Sequence, residues 1–331
     1  MAFKPVEEKN NGGKFLIFGG EHTGKSWFSQ TFPRSGVVDG ELSQAFDAGE
    51  EIVINGVAYN NVIFVDDTLD LDELEEDLDT LIEGDIDIDT FVIDGESKFY
   101  QVMEIGSEEA EEKKAKENGK SVDARAKWGR VKTINMKLQQ AKITASARGC
   151  HIVSIAQEAT ITEDIKVNGK VEQKIIGYRP ETNKKLPHDY DVIIRFVNVK
   201  DEKTGKITER YGEVYKDRTH VTQPGDILHN CTFDMWKPLF DKRKAKAKGK
   251  KSDINFSKDI KNSTKTILND VELANKISKD FKSFLRENKG DKEKTTLVKQ
   301  KLDELEINIK ELDETDVKVL IQLDDFIKTL K

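Results

Sequence analysis

The sequence predicts an α/β fold, a largely parallel sheet flanked by helices, with a small C-terminal helical domain after it. Three observations point there. Between Lys14 and Phe240, short β-branched runs alternate with helical stretches. A glycine-rich segment, GGEHTGKS, lies directly between the first run and a helical pattern. Beyond Asp241, apolar residues return only at helical spacing.

The strands come first. KFLIF (14–18), GVVDG (36–40), NVIFVDD (61–67), TFVIDG (90–95) and CHIVSIAQ (150–157) are short, apolar and bounded by turn or polar residues, as buried strands are. Helical stretches lie between them, Leu71–Ile82 and roughly Asp123–Ala147. Strand, helix, strand in repetition calls for parallel pairing and crossover helices. Two Asn-Gly dipeptides, in EIVI-NG-VAY and DIKV-NG-KVEQ, read as two-residue hairpins. DVIIRFVNV (191–199) and ERYGEVYKD (209–217) read as late antiparallel strands joined through DEKTGK (201–206).

Residues 1–240 are expected to form the core domain. DKRKAKAKGKKSD (241–253) holds seven Lys or Arg and almost nothing apolar, so 241–252 is expected as a basic linker. Residues 253–331 are expected as a helical domain. Ile267, Val271, Ala274, Ile277, Phe281, Phe284 and Leu285 begin its apolar face, and Leu302, Leu305, Ile309, Leu312, Leu320, Leu323, Ile327 and Leu330 continue it. No fixed-period repeat is evident.

The 331 residues are 36% hydrophobic and 35% charged, with net charge −8. A whole-protein basic footprint for nucleic acid is therefore excluded, and any such binding must use local patches. Cys150 and Cys231 lie in no CxxC or Cys/His cluster, which argues against a disulfide framework or a zinc site. No apolar run approaches membrane-spanning length, and the first residues lack a signal peptide's apolar stretch. A soluble cytoplasmic chain without membrane contact is expected.

Five segments carry chemistry. Gly19, Gly24, Lys25 and Ser26 fit G-x-x-x-x-G-K-S/T in the strand-then-helix setting that the motif needs. Such a loop, Gly19, Gly20, Glu21, His22, Thr23, Gly24, Lys25, Ser26 and Trp27, turns backbone N–H groups onto phosphates, and the helix start adds its positive end. Lys25 reaches the β- and γ-phosphates, and the Ser26 hydroxyl reaches magnesium. ATP with Mg²⁺ is the expected ligand. Asp94 ends an apolar strand, where a magnesium-holding carboxylate belongs and where Asp also serves as a plain turn former. Glu41, after GVVDG, is either a base that polarises water or a solvated turn residue. Gln157 is either a γ-phosphate sensor or a plain strand-end amide. Lys216 and Arg218 alternate in VYKDRTH. They either clamp phosphate from a neighbouring subunit or guard an exposed strand edge.

Together these segments resemble the RecA-like P-loop ATPases, and within them the phage branch associated with single-strand annealing and recombination. The resemblance covers about Lys14 to Asn230. It implies Glu41 as catalytic base, Gln157 as the polar residue that ends the strand after Asp94's, and Lys216 with Arg218 acting across a subunit interface. DYDVIIRF followed by YKDRTH is similar to the phage branch. One departure is Gly95-Glu96-Ser97 after Asp94, which makes Glu96 a rival to Glu41.

The resemblance further implies DNA-stimulated ATP hydrolysis, a homo-oligomeric ring or filament, single-stranded DNA as partner, a single-strand-binding protein as a further partner, and a bacterial host cytoplasm. DNA is expected on a loop over Glu158–Asp189, with Lys166, Lys170, Lys174, Arg179, Lys184, Lys185 and Tyr178. Arg125, Lys127, Trp128 and Arg130, and the linker at 241–251, are further candidates. That stretch carries +6, seven cations against Asp241. Glu158, Glu163, Glu172 and Glu181 temper this reading. A ring-shaped helicase motor shares the same core. An ATP-dependent adaptor that binds a protein through its C-terminal helices is a third reading.

Overall fold

A computed structural model describes residues 7–44, 49–167, 170–309, 312 and 315–330, with side chains at 166, 167, 170 and 268–270 left aside. The chain divides into two compact units, residues 1–257 and 258–331, each with its own core.

The first unit is built on one large sheet. Its strands are β1 (Lys14–Gly19), β2 (Ser35–Asp39), β5 (Val62–Asp66), β6 (Thr90–Asp94), β7 (His151–Val167), β8 (Lys170–Pro180), β9 (Val192–Lys200), β10 (Ile207–Asp217) and β11 (Ile227–His229). Among the described residues the order is β11-β10-β9-β1-β7-β6-β2-β5, with β8 paired to the far part of β7. From β9 to β5 every pairing is parallel, while β10, β11 and β8 pair antiparallel. The expected α/β class, with a mostly parallel sheet and flanking helices, is what the chain adopts.

Side-chain alternation explains the burial. Phe15 and Ile17 of β1 enter one core, whereas Leu16 and Phe18 enter another on the opposite face. Likewise Val92 of β6 faces one way and Phe91 and Ile93 the other. The helices are α1 (Lys25–Gln30), α2 (Leu71–Glu83), α3 (Glu96–Asn118), α4 (Ala124–Ala147) and α5 (Lys237–Lys246). The acidic α2 buries Leu74, Leu78, Leu81 and Ile82 and turns its carboxylates outward. Asp70 caps it by accepting from the Asp72 N–H, and Asp123 caps α4 by accepting from Arg125 and Ala126.

Three expectations change, and two elements were not foreseen. NVIFVDD is not a buried strand: β5 is the sheet's edge, with Ile63, Phe64 and Val65 exposed. Residues 241–252 are not a free linker. Asp241–Lys246 continue α5, Phe240 and Ala247 are buried, and the backbone from 247 to 252 bonds to Asn10 and Ala147. The cations point outward, so composition hides the packed face. Glu158–Asp189 is not a loop for most of its length, because β7 and β8 form a long antiparallel ribbon. The Asn168-Gly169 turn expected at its tip lies outside the described residues. Finally, α3 and β11 stand out by no apolar periodicity, one being heavily charged and the other three residues long. The Asn55-Gly56 hairpin forms as expected, joining β3 (Ile52–Ile54) to β4 (Val57–Tyr59).

The second unit contains α7 (Lys292–Glu304), α8 (Val317–Leu330) and the later part of α6 (Phe256–Glu287). Ile277, Phe281, Phe284, Val298, Leu302, Leu320, Leu323 and Ile327 form its core. Ile267 and Val271 are exposed, so the packed seam starts near Ala274. Among the described residues no helix is long and apolar enough to cross a membrane.

His151, at the start of β7, is buried between Phe233 and Phe240, and its Nδ1 accepts a hydrogen bond from the Gly13 N–H at 3.0 Å. Burial, then the nearby Lys244, pushes its pKa down to about 4. A depressed histidine stabilises the fold at neutral pH and loses that contribution as pH falls from about 6.5 through about 4. A His151→Asn variant keeps an acceptor for Gly13 but does not titrate. Urea melts at pH 7 and pH 4.5 should show the stability gap between wild type and variant narrowing on acidification by on the order of 2–3 kcal/mol.

Candidate active site

The register of the sheet sets the site. Gly19, at the end of β1, pairs with Gln157 of β7 on one side and Phe196 of β9 on the other. Asp39 of β2 pairs with Asp94 of β6. The C-terminal strand ends therefore bring Gly19, Gln157, Asp94 and Asp39 to one edge, where open parallel sheets place their ligands.

The loop from Gly19 to Ser26 lies over that edge. A Cβ at Gly19 would stand 2.2 Å from the Phe196 carbonyl oxygen, so only glycine lets the loop leave β1 against β9. Gly24 takes φ +93°, a left-handed value that favours glycine, and opens α1. Two strand side chains brace the loop from behind. Asn198 of β9 donates to the Glu21 carbonyl at 3.0 Å, and Arg210 of β10 donates to the His22 carbonyl at 3.0 Å. Holding these carbonyls ties the loop to the outer strands, and a loop so held can turn backbone N–H groups onto an anion.

The pocket is about 710 Å³ and is lined by the whole loop from Gly19 to Trp27, with Glu41, Ser43, Asp94, Gln157, Glu158 and Arg210. Lys25 lies across the loop, donating to the Gly19 and Gly20 carbonyls at 3.1 and 2.6 Å. Burial lowers its pKa, and the carboxylates of Asp94, Glu41, Glu158 and Glu21 pull the other way. Asp94 is buried, and its Oδ2 accepts from Ser26 Oγ, Ser43 Oγ and Gln44 Nε2, each at 2.9 Å. Burial raises its pKa, and those donors counter the rise. Asp39 in turn accepts from the backbone N–H groups of Glu41, Ser43 and Gln44, which shapes the turn that carries Glu41.

Magnesium fits this donor set. A hydroxyl and a carboxylate oxygen side by side are hard ligands, and Mg²⁺ usually takes one or two protein oxygens and completes its shell with phosphate and water. Among the described residues no cluster of three or more His, Cys, Asp or Glu could hold a metal by itself. Ser26 and Asp94 would hold the ion at the pocket floor.

Glu41 and Gln157 meet across the pocket, the Gln157 amide donating to Glu41 Oε1 at 2.7 Å. Glu96 does not share this place. It is buried in an ion pair with Lys142 at 2.6 Å and does not line the pocket. Lys216 and Arg218 lie outside the pocket of their own chain. Lys216 donates to the Pro187 and His188 carbonyls at 2.8 and 3.3 Å, while Arg218 is exposed beyond the end of β10.

Among the expected DNA-contacting residues, Tyr178 is covered by the Arg195 guanidinium, 3.5 Å from its ring centre. Lys127 and Arg130 pair with Glu108 and Glu111 of α3. Tyr178, Lys127 and Arg130 are thus already engaged within the chain. Sequence reading misses Ser43, Gln44, Asn198 and Arg210. None lies in a motif, and only strand adjacency brings the last two to the loop.

A family model described as AAA domain matches residues 11–223. Among curated proteins none matches the chain. Among solved structures, the chain is similar to the flagellar accessory protein FlaH from Methanocaldococcus jannaschii. The identity is 13% and the TM-score 0.33, over 66% of this chain and 84% of that one.

Removing the Lys25 ammonium takes away one charge-assisted contact to phosphate. Lys25→Ala should weaken Mg·ATP binding about tenfold or more in a calorimetric titration, with far-UV circular dichroism unchanged.

Proposed function

The chain belongs to the AAA domain family of P-loop ATPases, and from that premise we propose that it hydrolyses ATP to drive an action on single-stranded DNA. The action is strand annealing or recombination of the kind that phage DNA metabolism uses. The observation that carries the hydrolytic part is the Glu41–Gln157 contact, which faces Lys25, Ser26 and Asp94 in one pocket. Lys25 and the loop N–H groups bind the phosphates, and Ser26 and Asp94 hold magnesium. Glu41 takes a proton from the attacking water. Gln157, hydrogen-bonded to that base, reports the state of the phosphate end.

The DNA part is supported by the same strand. β7 carries Gln157 and runs on without a break into the ribbon with β8. A change at Gln157 is therefore felt along an exposed arm. Lys174 and Arg179 of that arm, with Lys184 and Lys185 beyond it, supply cations for phosphate contacts. Lys216 and Arg218 lie outside their own chain's pocket, which suits a role on the neighbouring subunit's nucleotide in a homo-oligomer.

The test is the ATPase rate with and without single-stranded DNA for wild type, Lys25→Ala and Arg218→Ala. Wild type should be stimulated by DNA, and Lys25→Ala should be inactive. Arg218→Ala should lose about 10²-fold or more in rate while still binding ATP. A wild-type rate and ATP affinity that ignore DNA would overturn the DNA reading, and normal hydrolysis by Arg218→Ala would overturn the inter-subunit role.

A further inference from the structure

Arg195 of β9 stands opposite Phe18 of β1 and Glu213 of β10 in the sheet register, so the three side chains share one face. Its guanidinium grips Glu158 of β7 with two donors, Nε to Oε2 at 2.6 Å and Nη2 to Oε1 at 3.3 Å. Nη1 reaches Glu213 at 3.5 Å, and the central carbon lies 3.5 Å from the centre of the Tyr178 ring. We propose that Arg195 is a positioning residue for the nucleotide site. It neutralises Glu158 at the pocket wall so that a triphosphate can settle on the loop, and Tyr178 of the ribbon keeps it there. The proposal rests on the phosphate-binding reading above and adds to it what sets the affinity.

Charge carries the argument. A triphosphate brings several negative charges to a pocket that Glu21, Glu41, Asp94 and Glu158 already line. Asp94 has magnesium to hold, and Glu41 has water to polarise. Glu158 has no such task, yet its charge reaches Lys25. An unpaired carboxylate there would repel phosphate and compete with it for Lys25. Arg195 prevents both. Arg195 is 15% and Glu158 18% exposed, so water screens this pair far less than an ion pair on the open surface. A cleft of about 380 Å³ is lined by the pair together with Gly20, Glu21 and Thr23, which puts the pair beside the loop.

The pair also sits at the root of the ribbon. Glu158 of β7 pairs with Pro180 of β8, and Tyr178 lies a short way along β8 toward the tip. The backbone of Gln157, just before Glu158, is pinned on both sides. Its N–H donates to Ser97 Oγ at 2.9 Å, and its carbonyl accepts from the Glu181 N–H at 2.8 Å. The main chain at the root is thus held, and the adjustable link is the side-chain contact between Arg195 and Tyr178. A ligand that draws Tyr178 off Arg195 would loosen the hold on Glu158 and lower the affinity for triphosphate.

Calorimetric titration with Mg·ATP at pH 8, where an unpaired glutamate stays ionised, separates charge from packing. Arg195→Gln should weaken binding about tenfold or more, because Glu158 is left unpaired. Glu158→Gln should tighten binding a few-fold, because Arg195 is then the unpaired charge. The double variant Arg195→Gln/Glu158→Gln should return to within about threefold of wild type, a rescue that a merely structural role for Arg195 would not give. Tyr178→Leu should weaken binding about threefold through loss of the cation–π contact, and should add little in the Arg195→Gln background. Wild-type affinity in Arg195→Gln, or a double variant as weak as Arg195→Gln, would overturn the proposal. Should Arg195→Gln not fold, Glu158→Gln decides alone, and weaker binding than wild type overturns it. Unchanged binding by Tyr178→Leu removes the ribbon from the device. A wild type that binds no Mg·ATP overturns the phosphate reading itself, and the role of Arg195 falls with it.

Discussion

One buried carboxylate holds the site together. Asp94 ends β6 at the level where Asp39 ends β2, and its Oδ2 gathers donors from α1, through Ser26, and from the turn after β2, through Ser43 and Gln44. Gln44 also donates to Ser29 inside α1. Helix, turn and strand are thereby locked to one atom. A carboxylate so deep in the protein is expensive unless every lone pair is used. The three donors to Oδ2 offset part of that cost, and they come from residues at or beside the pocket. The position of Ser26, the start of α1 and the path of the chain toward Glu41 all follow from it.

The phosphate loop depends on a second constraint, which is backbone crowding. β1 is flanked on both sides by parallel strands, so a chain leaving it has little room. Gly19 solves this by lacking a Cβ where Phe196 would meet one. Asn198 and Arg210 then hold the loop's carbonyls to the outer strands. Lys25 lies over two further carbonyls, those of Gly19 and Gly20, both acceptors that its ammonium satisfies. The loop is thus held in place by contacts within the chain at the start of α1, where a helix carries its partial positive charge.

Much of this was legible in the sequence because it rests on short local signals. The GGEHTGKS loop needs only a strand before it and a helix after it. Asp94 and Gln157 are strand-end residues, and apolar runs mark strand ends well. Legibility ended where function depends on neighbours in space. Arg210 and Asn198 brace the loop only because β9 lies beside β1 and β10 lies beside β9, an order that no local pattern encodes. Composition misled at 241–252, where a dense run of cations covers a helix that packs through Phe240 and Ala247. It misled again at β5, since an edge strand and a central strand are equally rich in Ile, Phe and Val. The ribbon of β7 and β8 was hidden for a different reason. Its charges are dense and of both signs, as a loop's often are, and pairing rather than burial makes it a strand.

The choice between Glu41 and Glu96 shows what geometry adds to a motif. Both follow an Asp-Gly at the end of a strand, and nothing in the sequence ranks them. Glu96 enters α3 and turns inward to Lys142, where both partners are at most 5% exposed. Breaking such a pair from one side costs about 3–5 kcal/mol, since it strands a buried charge. A carboxylate in that position serves the fold and cannot leave it to meet water in each turnover. Glu41 sits on the turn shaped by Asp39, lines the pocket and has as its partner the neutral amide of Gln157. A single hydrogen bond to a neutral donor contributes only about 1 kcal/mol and is readily exchanged for water. The same two-residue motif thus leads into opposite surroundings, one carboxylate buried and paired, the other lining the pocket. The difference lies in the next residue's secondary structure, a helix start after Gly95 and an open turn after Gly40.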